Sequence, residues 1–209
     1  MTSDIKPKHN RLLVLDFDHT VFDTTAFVAA LREYFHTTFG VDADLFMRER
    51  EAVKNCCVVV DVDIFVRRLS VDDVQLAHDH LVEFAQREAG RFVFPDVVGF
   101  LERHTKMFDM LLLTHGDDEL QRAKITGAQL PGAVPFVITK QTKGKVLQPY
   151  ATEYEQIYFV DDKLPNLMNV KEVIPAVKAY FLKRPNSPYA VDGEEGVDQM
   201  VAGLDFTIV

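Results

Sequence analysis

The sequence predicts an α/β protein, a doubly wound parallel sheet that carries an inserted α-helical domain. Short apolar runs recur along the chain and are continuous instead of alternating with polar residues, as in strands that helices cover on both faces. The segments between the later runs are long enough for the crossover helices that parallel strands require. Between the first and second runs, the pattern changes to helical spacing over residues 24–91.

Five apolar runs are the predicted strands of this sheet. They are LLVL at 12–15, MLLL at 110–113, PFVI at 135–138, IYFV at 157–160 and AVKAYF at 176–181. The segment at 184–198 is rich in Pro, Gly and acidic residues, and it predicts a loop. We expect LDFTIV at 204–209 to add a short strand at the sheet edge.

The segment after the first strand is predicted to fold into helices. Thr24 and Thr25 can cap a helix that runs to Gly40, and a second helix begins near Asp42. The run CCVVVDVD at 56–63 fits either a short strand or the apolar face of a helix, and we favour a helix.

A third helix is predicted to begin at Ser70, whose hydroxyl has Asp73 three residues further on. Apolar residues then recur at helical spacing before Gly90: they are Val74, Ala77, Leu81, Phe84 and Ala85.

The chain is predicted to return to the sheet after this helix. Pro95 fits the first turn of the returning helix, where its missing N–H costs nothing. We therefore predict two domains, a core made of residues 1–23 and 92–209 and a helical insertion made of residues 24–91.

The composition limits the partners of this protein. Its 209 residues are 47% hydrophobic, which is enough for a full domain with a sizeable insertion. The formal net charge of −9 repels polyanions, so we expect no nucleic acid partner. The sequence does not indicate an oligomeric state.

The N-terminus and the cysteines indicate a cytoplasmic protein. The segment MTSDIKPKHN is polar, unlike a signal peptide, and no apolar stretch approaches the ~20 residues that span a bilayer. Cys56 and Cys57 are adjacent, where a disulfide needs a strained ring, so we expect reduced thiols. We expect no membrane partner.

The pattern Asp-x-Asp occurs three times in this acidic chain, so its context has to identify a functional copy. Asp16 and Asp18 follow the apolar run LLVL and precede Thr20, whereas the copies that begin at Asp42 and Asp61 have neither feature. Two carboxylates beside one metal ion can serve as the nucleophile and the acid that attack a phosphate ester. The first copy therefore predicts a phosphohydrolase.

Adjacent aspartates also occur three times, and again one copy follows a strand. Asp161 and Asp162 come directly after IYFV, whereas the other pairs begin at residues 72 and 117. Ligands of open α/β sheets bind outside the carboxyl ends of the strands, so this pair and Asp16 should meet at one edge. Taken singly, each pair also fits a helix cap or a solvated loop.

Two further segments are predicted to reach the same edge. Thr114 ends the run MLLLT, and His115 and Gly116 follow it where backbone amides can face an anion; we predict that all three bind substrate. The segment KQTKGK then supplies three lysines ahead of another helix, which are Lys140, Lys143 and Lys145. The joint pattern is more specific than any single element.

The motifs DFDHT, Thr114, a lysine of TKGK and the pair Asp161–Asp162 resemble, in this order, the four motifs of the haloacid dehalogenase (HAD) superfamily. The resemblance extends from about Arg11 to Phe181, and the helical insertion lies where that family carries its first cap domain. It implies a HAD-like, Rossmann-like core and the activity of a phosphoric monoester hydrolase.

The resemblance also implies roles for the four aspartates. Asp16 would be the nucleophile that forms an aspartyl-phosphate, and Asp18 would protonate the leaving oxygen and then activate water. One Mg²⁺ would be held by the Asp16 carboxylate, the Asp18 backbone carbonyl and Asp162, with Asp161 either binding the ion or supporting a ligand. A hard cation of this kind prefers oxygen ligands and offsets the repulsion between Asp16 and a phosphate.

The remaining motifs imply binding of the transferring phosphoryl group. Thr114 would donate a hydrogen bond to it, and a lysine would neutralise its charge and hold Asp16 in place. We favour Lys143 because it precedes glycine as in many family members, with Lys145 and Lys140 as alternatives. Lys145 is also a predicted substrate-binding residue.

The family contains several activities, and the sequence favours one of them. Its dehalogenases lack the second acid, here Asp18, because a halide needs no proton to leave, and its pumps need membrane helices. We predict a Mg²⁺-dependent phosphatase that acts on a small phosphorylated metabolite, because a helical cap can exclude water around a small substrate. The alternatives are a phosphomutase or phosphotransferase on the same scaffold, a non-catalytic binding protein, and a phosphoacceptor signalling domain.

Overall fold

A six-stranded sheet with the strand order β3-β2-β1-β4-β5-β6 is the centre of the computed structural model. The strands are β1 Arg11–Leu15, β2 Asp109–His115, β3 Phe136–Thr139, β4 Gln156–Asp161, β5 Lys178–Leu182 and β6 Gln199–Val201. Strand β1 pairs in parallel with β2 and β4, and β5 pairs in parallel with β4 and β6. The structure describes residues 7–57, 59–185, 187–189, 193 and 195–208.

All five predicted strands are confirmed as β1 to β5. The four leucine and valine side chains of β1 at positions 12–15 are fully buried. Such burial is expected when helices cover both faces of a parallel sheet, and it explains why the apolar runs are continuous.

The predicted edge strand is in the wrong place. The edge strand is β6 at Gln199–Val201, and the described residues 204–208 form no strand. Their backbone donors bind side chains instead: Leu204 N donates to Asp96 Oδ2 at 2.7 Å and Ile208 N donates to His104 Nε2 at 3.0 Å. Val209 and part of the predicted loop 184–198 lie outside the described residues.

Helices connect the strands. They are α1 Thr24–Phe39, α2 Ala43–Cys56, α3 Val62–Arg67, α4 Val74–Glu88, α5 Val97–His104, α6 Asp118–Gly127, α7 Lys143–Leu147 and α8 Leu164–Val173, with 3-10 turns at Ala89–Phe92 and Gln148–Thr152. Among the described residues, no helix combines the length and the apolar character that crossing a membrane requires.

The chain forms two compact units. The sheet unit comprises Met1–Asp23, Val93–Thr114 and Leu130–Val209, and the helical unit comprises Thr24–Phe92 with His115–Gln129. Helix α6 therefore groups with the inserted helices. The domain boundaries of the sequence analysis stay a prediction.

The first two helices of the helical unit form where the sequence places them. Helix α1 begins at Thr24, and Gly40 follows its end with a φ of +66°, a conformation that glycine adopts without steric cost. Asp42 caps α2, because its Oδ1 accepts a hydrogen bond from Leu45 N at 2.9 Å.

The predicted start of the third long helix, α4, at Ser70 is wrong. Helix α4 begins at Val74, and Asp73 caps it by accepting a hydrogen bond from Leu76 N at 2.9 Å. Ser70 has a φ of +54° and lies in a turn after α3. The carboxylate next to the helix satisfies its free N–H groups, so the hydroxyl three residues earlier is not needed.

The ambiguous run at 56–63 is a connection between two helices. Cys56 ends α2, and the described residues 57 and 59–61 are not helical. Asp61 caps α3 through a 3.0 Å hydrogen bond from Ile64 N. Among the described residues, the helix favoured for this run is therefore confirmed only at its two ends, at Cys56 in α2 and at residues 62 and 63 in α3.

Close packing of α6 on α4 gives a test of the helical unit. A Cβ added at Gly127 would lie 2.0 Å from the backbone oxygen of Gln86, whereas one added at Gly90 would lie 3.5 Å from its nearest neighbour. We expect Gly127→Ala to lower the free energy of unfolding by about 1–3 kcal/mol, because backbone has to move to admit the methyl group. Urea unfolding of Gly127→Ala beside Gly90→Ala measures this, and equal stabilities of the two variants would contradict the packing.

His104 makes the stability of the sheet unit depend on pH. Its ring is fully buried, with Nδ1 2.8 Å from Phe100 O, and Nε2 accepts a hydrogen bond from Ile208 N. This arrangement requires the neutral ring, and burial lowers the pKa of His104 below its ordinary value of 6.5. The contribution of neutral His104 to the free energy of unfolding is therefore complete above about pH 6.5. It is lost as the pH falls below this value, because the unfolded chain then binds more protons than the folded one.

Urea midpoints at about pH 7.5 and about pH 5.5 test this dependence. We expect the midpoint to fall on acidification more in the wild type than in His104→Gln, which cannot titrate. An equal fall in both proteins would assign the acid sensitivity to other groups.

Candidate active site

Asp16 is held at the carboxyl end of the central strand. Its backbone N donates to Val160 O at 2.9 Å, which continues the hydrogen-bond ladder between β1 and β4 by one residue. Its side chain is buried. The sheet therefore fixes where this carboxylate lies.

A tight turn follows Asp16 and carries Asp18. Phe17 O accepts hydrogen bonds from the N–H groups of Val21 and Phe22 at 2.9 Å, and His19 adopts a φ of +60°. Asp18 is half-buried within this turn. The turn keeps the second acid three residues beyond the end of β1 and two residues from Asp16.

Arg184 fastens this turn to the rest of the sheet unit, which the sequence analysis did not foresee. Its Nε and Nη2 donate to Thr20 O at 3.0 and 2.8 Å, and its guanidinium binds both Asp96 oxygens at 2.9 and 3.0 Å. Its guanidinium carbon lies 3.8 Å from the ring centroid of Phe94. Partial burial raises the pKa of Asp96, but hydrogen bonds from Arg184 and Leu204 outweigh it and lower that pKa.

Asp161 is the last residue of the neighbouring strand β4 and Asp162 follows it, and both are fully buried. Asp161 Oδ1 accepts hydrogen bonds from Lys163 N at 2.8 Å and Asn166 Nδ2 at 3.2 Å. Asp162 Oδ2 accepts one from Ser187 Oγ at 3.0 Å, whereas Asp162 Oδ1 is buried with no hydrogen-bond partner among the described residues. Asn166 belongs to the motif DDKLPN, so its place near Asp161 could have been predicted from the sequence. Ser187 lies in a loop segment whose sequence does not indicate this contact.

Lys143 joins the two acidic segments. Its buried ammonium donates to Asp16 Oδ1 and, at 2.7 Å, to Asp161 Oδ2. The next residue, Gly144, lies against α8: its N–H donates to Asn169 Oδ1 at 2.9 Å, and an added Cβ would lie 2.7 Å from Asn169 O. Glycine at this position therefore lets α7 approach closely enough to bring Lys143 between the carboxylates.

The structure distinguishes the three candidate lysines. Lys140 and Lys145 are exposed, whereas Lys143 is buried between the carboxylates. Its position agrees with the preference for the lysine that precedes glycine. Lys145 as a substrate-binding residue stays a prediction.

Burial and neighbouring negative charges raise the pKa values of two carboxyls of the site. Burial raises the pKa of Asp162 to about 8, and the charges of Asp16 and Asp161 act in the same direction. Burial also raises the pKa of Asp16 to about 6, although the Lys143 ammonium opposes this shift. For Lys143, burial lowers the pKa, but the two carboxylates that it contacts outweigh burial and raise it.

The site has the donors that a hard divalent cation requires. One carboxylate oxygen each from Asp16, Asp161 and Asp162 lies within 4.8 Å of the other two. Among the described residues, Asp162 Oδ1 has no donor of its own, and of the three carboxylates the Lys143 ammonium contacts Asp16 and Asp161. Oxygen donors and uncompensated negative charge fit Mg²⁺.

The structure gives the positions of the other predicted site residues, Thr114, His115 and Gly116, but does not test their roles. Thr114 is buried at the carboxyl end of β2, two residues beyond the partner of Leu15, and thus at the same sheet edge as Asp16. His115 and Gly116 group with the helical unit, where His115 O accepts a hydrogen bond from Gln121 Nε2 at 2.9 Å. Their predicted binding of substrate, like the catalytic roles of the other residues, stays a prediction.

Comparison with known proteins identifies the fold. No family model and no curated protein matches the sequence. A solved structure from Burkholderia xenovorans LB400, assigned as a haloacid dehalogenase-like hydrolase, is 19% identical, with 94% of each chain covered and a TM-score of 0.75. The chain has the fold of the HAD-like hydrolases. The predicted fold class is therefore confirmed.

Two further structures with the HAD-like fold carry informative names. YfnB from Bacillus subtilis, assigned as a HAD-hydrolase and bound to magnesium, is 15% identical over 94% of this chain and 96% of its own, with a TM-score of 0.65. The L-2-haloacid dehalogenase of Xanthobacter autotrophicus is 14% identical over 92% and 94%, with a TM-score of 0.61. Because these identities are low, the comparisons establish the HAD-like fold alone.

Proposed function

We propose that this protein is a Mg²⁺-dependent phosphohydrolase that acts on a small phosphorylated metabolite through an aspartyl-phosphate. The observation that carries the proposal is the buried ammonium of Lys143 between Asp16 and Asp161, beside an Asp162 oxygen that lacks a partner in the described part of the chain. This arrangement supplies a nucleophile, a compensating cation and a place for a metal ion at the ligand-binding edge of the sheet.

In the first step, an Asp16 carboxylate oxygen attacks phosphorus and the bond from phosphorus to the ester oxygen breaks. The Asp18 carboxyl donates its proton to that leaving oxygen, so the alcohol departs neutral. In the second step, water attacks phosphorus and gives a proton to the Asp18 carboxylate. The bond between phosphorus and Asp16 then breaks, which releases inorganic phosphate and restores both acids.

The neighbouring residues stabilise the charge that develops. The Thr114 hydroxyl donates to a phosphoryl oxygen, and the Lys143 ammonium offsets negative charge on Asp16. The hydrogen bonds that Asp161 accepts from Lys163 N and Asn166 keep that carboxylate oriented toward Lys143. These groups are set before substrate arrives, so little reorganisation is needed during the reaction.

Asp16 and Asp162 would hold the Mg²⁺, together with the backbone carbonyl of Asp18, and Asp161 supports them. When bound, the ion supplies positive charge that lets an anionic nucleophile approach an anionic phosphate. The hydrogen bond from Ser187 to Asp162 Oδ2 orients this carboxylate, so that its other oxygen is available as a ligand.

Dehalogenation is the second candidate, because several solved structures with this fold are named haloacid dehalogenases. Both reactions use an aspartate nucleophile at this position, but a halide leaves without a proton. The presence of Asp18 and of three clustered carboxylates therefore favours the phosphatase.

The two candidates differ in what they release. We expect inorganic phosphate to be released from p-nitrophenyl phosphate and from members of a panel of phosphorylated metabolites when Mg²⁺ is present, and release to stop when the metal is chelated. Chloride release from 2-chloropropionate without phosphate release would favour the dehalogenase. An isomeric sugar phosphate in place of inorganic phosphate would identify a mutase.

A further inference from the structure

Lys163 brings a second ammonium group to the acidic cluster. It follows Asp162 directly and precedes α8, and its side chain is half-buried. A lysine ammonium is charged at neutral pH. The position of Lys163 directly after Asp162 therefore places a second cation beside the carboxylates of the site.

The two lysines differ in their hydrogen bonds. Lys143 donates to two carboxylates, so its ammonium is largely committed within the protein. Within the described parts of the chain, the Lys163 ammonium has neither a hydrogen bond nor an ion pair; it lies 4.6 Å from the ring centroid of Tyr189. Its N–H donors are therefore available to an incoming anion.

The segment after β5 holds the Tyr189 ring in place. Ser187 Oγ donates to Asp162 Oδ2 at 3.0 Å and accepts a hydrogen bond from Tyr189 N at 3.2 Å. The Tyr189 ring also meets the ring of His19 edge to face, with 6.1 Å between the centroids. The turn after Asp16 and the end of β4 thus both contact the segment that places the aromatic face under the ammonium.

We propose that Lys163, positioned by the aromatic face of Tyr189, binds an oxygen of the substrate's phosphoryl group. The inference rests on the proposed phosphohydrolase function and assigns to this chain a phosphate-binding cation besides Lys143. A cation over an aromatic face keeps its charge while it gives up few hydrogen-bond donors, which suits a group that must bind an anion and release it.

Binding of inorganic phosphate tests the proposal without turnover. Calorimetric titration of phosphate in the presence of Mg²⁺ is compared for the wild type, Lys163→Met and the exposed control Lys106→Met. We expect Lys163→Met to weaken phosphate binding by about 10-fold or more, because a charged hydrogen bond is lost, and Lys106→Met to leave it unchanged. Lys163→Arg, which keeps the charge, should recover part of the affinity.

The Tyr189 ring is tested in the same titration. Tyr189→Leu removes the aromatic face and should weaken phosphate binding by about 3-fold to 10-fold, whereas Tyr189→Phe keeps the face and should lose less. Equal losses in the two variants would overturn the role of the ring.

The outcomes separate this inference from the proposed function. If the wild type hydrolyses phosphate esters but Lys163→Met binds phosphate within twofold of the wild type, the inference is wrong and the function stands. The inference is also wrong if Lys163→Met alters only the affinity for Mg²⁺. If the wild type neither binds phosphate nor releases it from any ester, the proposed function itself fails.

Discussion

Replacing Asp16 by asparagine is expected to lower the rate of phosphate release by at least about 10³-fold. The amide nitrogen and oxygen of asparagine cannot form the acyl phosphate that the proposed reaction passes through. The variant should still fold, because Lys143 retains its 2.7 Å contact with Asp161. Removing a buried carboxylate whose pKa is raised to about 6 also removes an unfavourable charge at neutral pH.

Steady-state phosphate release and thermal unfolding, measured on the same preparations, test this expectation. Asp44→Asn is the matched control, since Asp44 belongs to another Asp-x-Asp and is exposed in the first turn of α2. Activity of Asp16→Asn comparable to that of the control would rule out a covalent mechanism through Asp16. A labelled phosphoryl group trapped on the wild type and absent from the variant would support it.

Replacing Lys143 by methionine is expected to remove activity and to destabilise the sheet unit by about 3–5 kcal/mol. The lysine and both of its carboxylate partners are buried, so solvent does not screen the charges that its removal exposes. Asp16 and Asp161 would then lie close together without their shared cation. Methionine retains most of the volume of the lysine stem, so the loss reports on charge more than on packing.

The loss of stability in Lys143→Met should depend on the pH and on the presence of Mg²⁺. Without the ammonium, the pKa of Asp16 rises further above its ordinary value, and a raised carboxyl pKa makes the free energy of unfolding fall as the pH increases. We therefore expect Lys143→Met to be more destabilised, relative to the wild type, at about pH 8 than at about pH 5, and Mg²⁺ to restore part of the difference. Urea unfolding beside Lys145→Met, an exposed lysine on the same helix, measures this; equal stabilities would show that Lys143 is not needed to hold the cluster.

Much of the fold could be predicted because its determinants are local. Continuous apolar runs identified β1 to β5, since strands with both faces buried have no polar alternation. Thr24 and Thr25 located the start of α1, although both lie within the helix, and the capping residue Asp42 located α2. The pair Ser70 and Asp73 was misassigned because several hydroxyls and carboxylates can cap a helix within one turn. The edge strand was misplaced because pairing at an edge depends on which backbone groups find side-chain partners elsewhere.

For the candidate site, the sequence predicted which segments meet at one sheet edge but not all of the contacts between their side chains. The carboxyl ends of parallel strands lie at one sheet edge, so Asp16, Thr114 and the pair Asp161–Asp162 could be assigned to it from their positions after apolar runs. Arg184 and Ser187 lie in a segment whose composition predicts only a loop. Their contacts with Thr20 and Asp162 could not be inferred from the residues around them.

The sequence by itself determined the sheet, most helices and the order in which acidic, hydroxyl and basic groups reach one edge, because these follow from patterns a few residues long. Only the tertiary structure decided that Lys143 and not Lys140 or Lys145 enters the acidic cluster, and that one Asp162 oxygen has no partner among the described residues. The physical reason is distance along the chain: Lys143 and Asp16 are 127 residues apart. Their contact exists only because burial of the sheet and close packing of Gly144 against α8 place both side chains at the same edge.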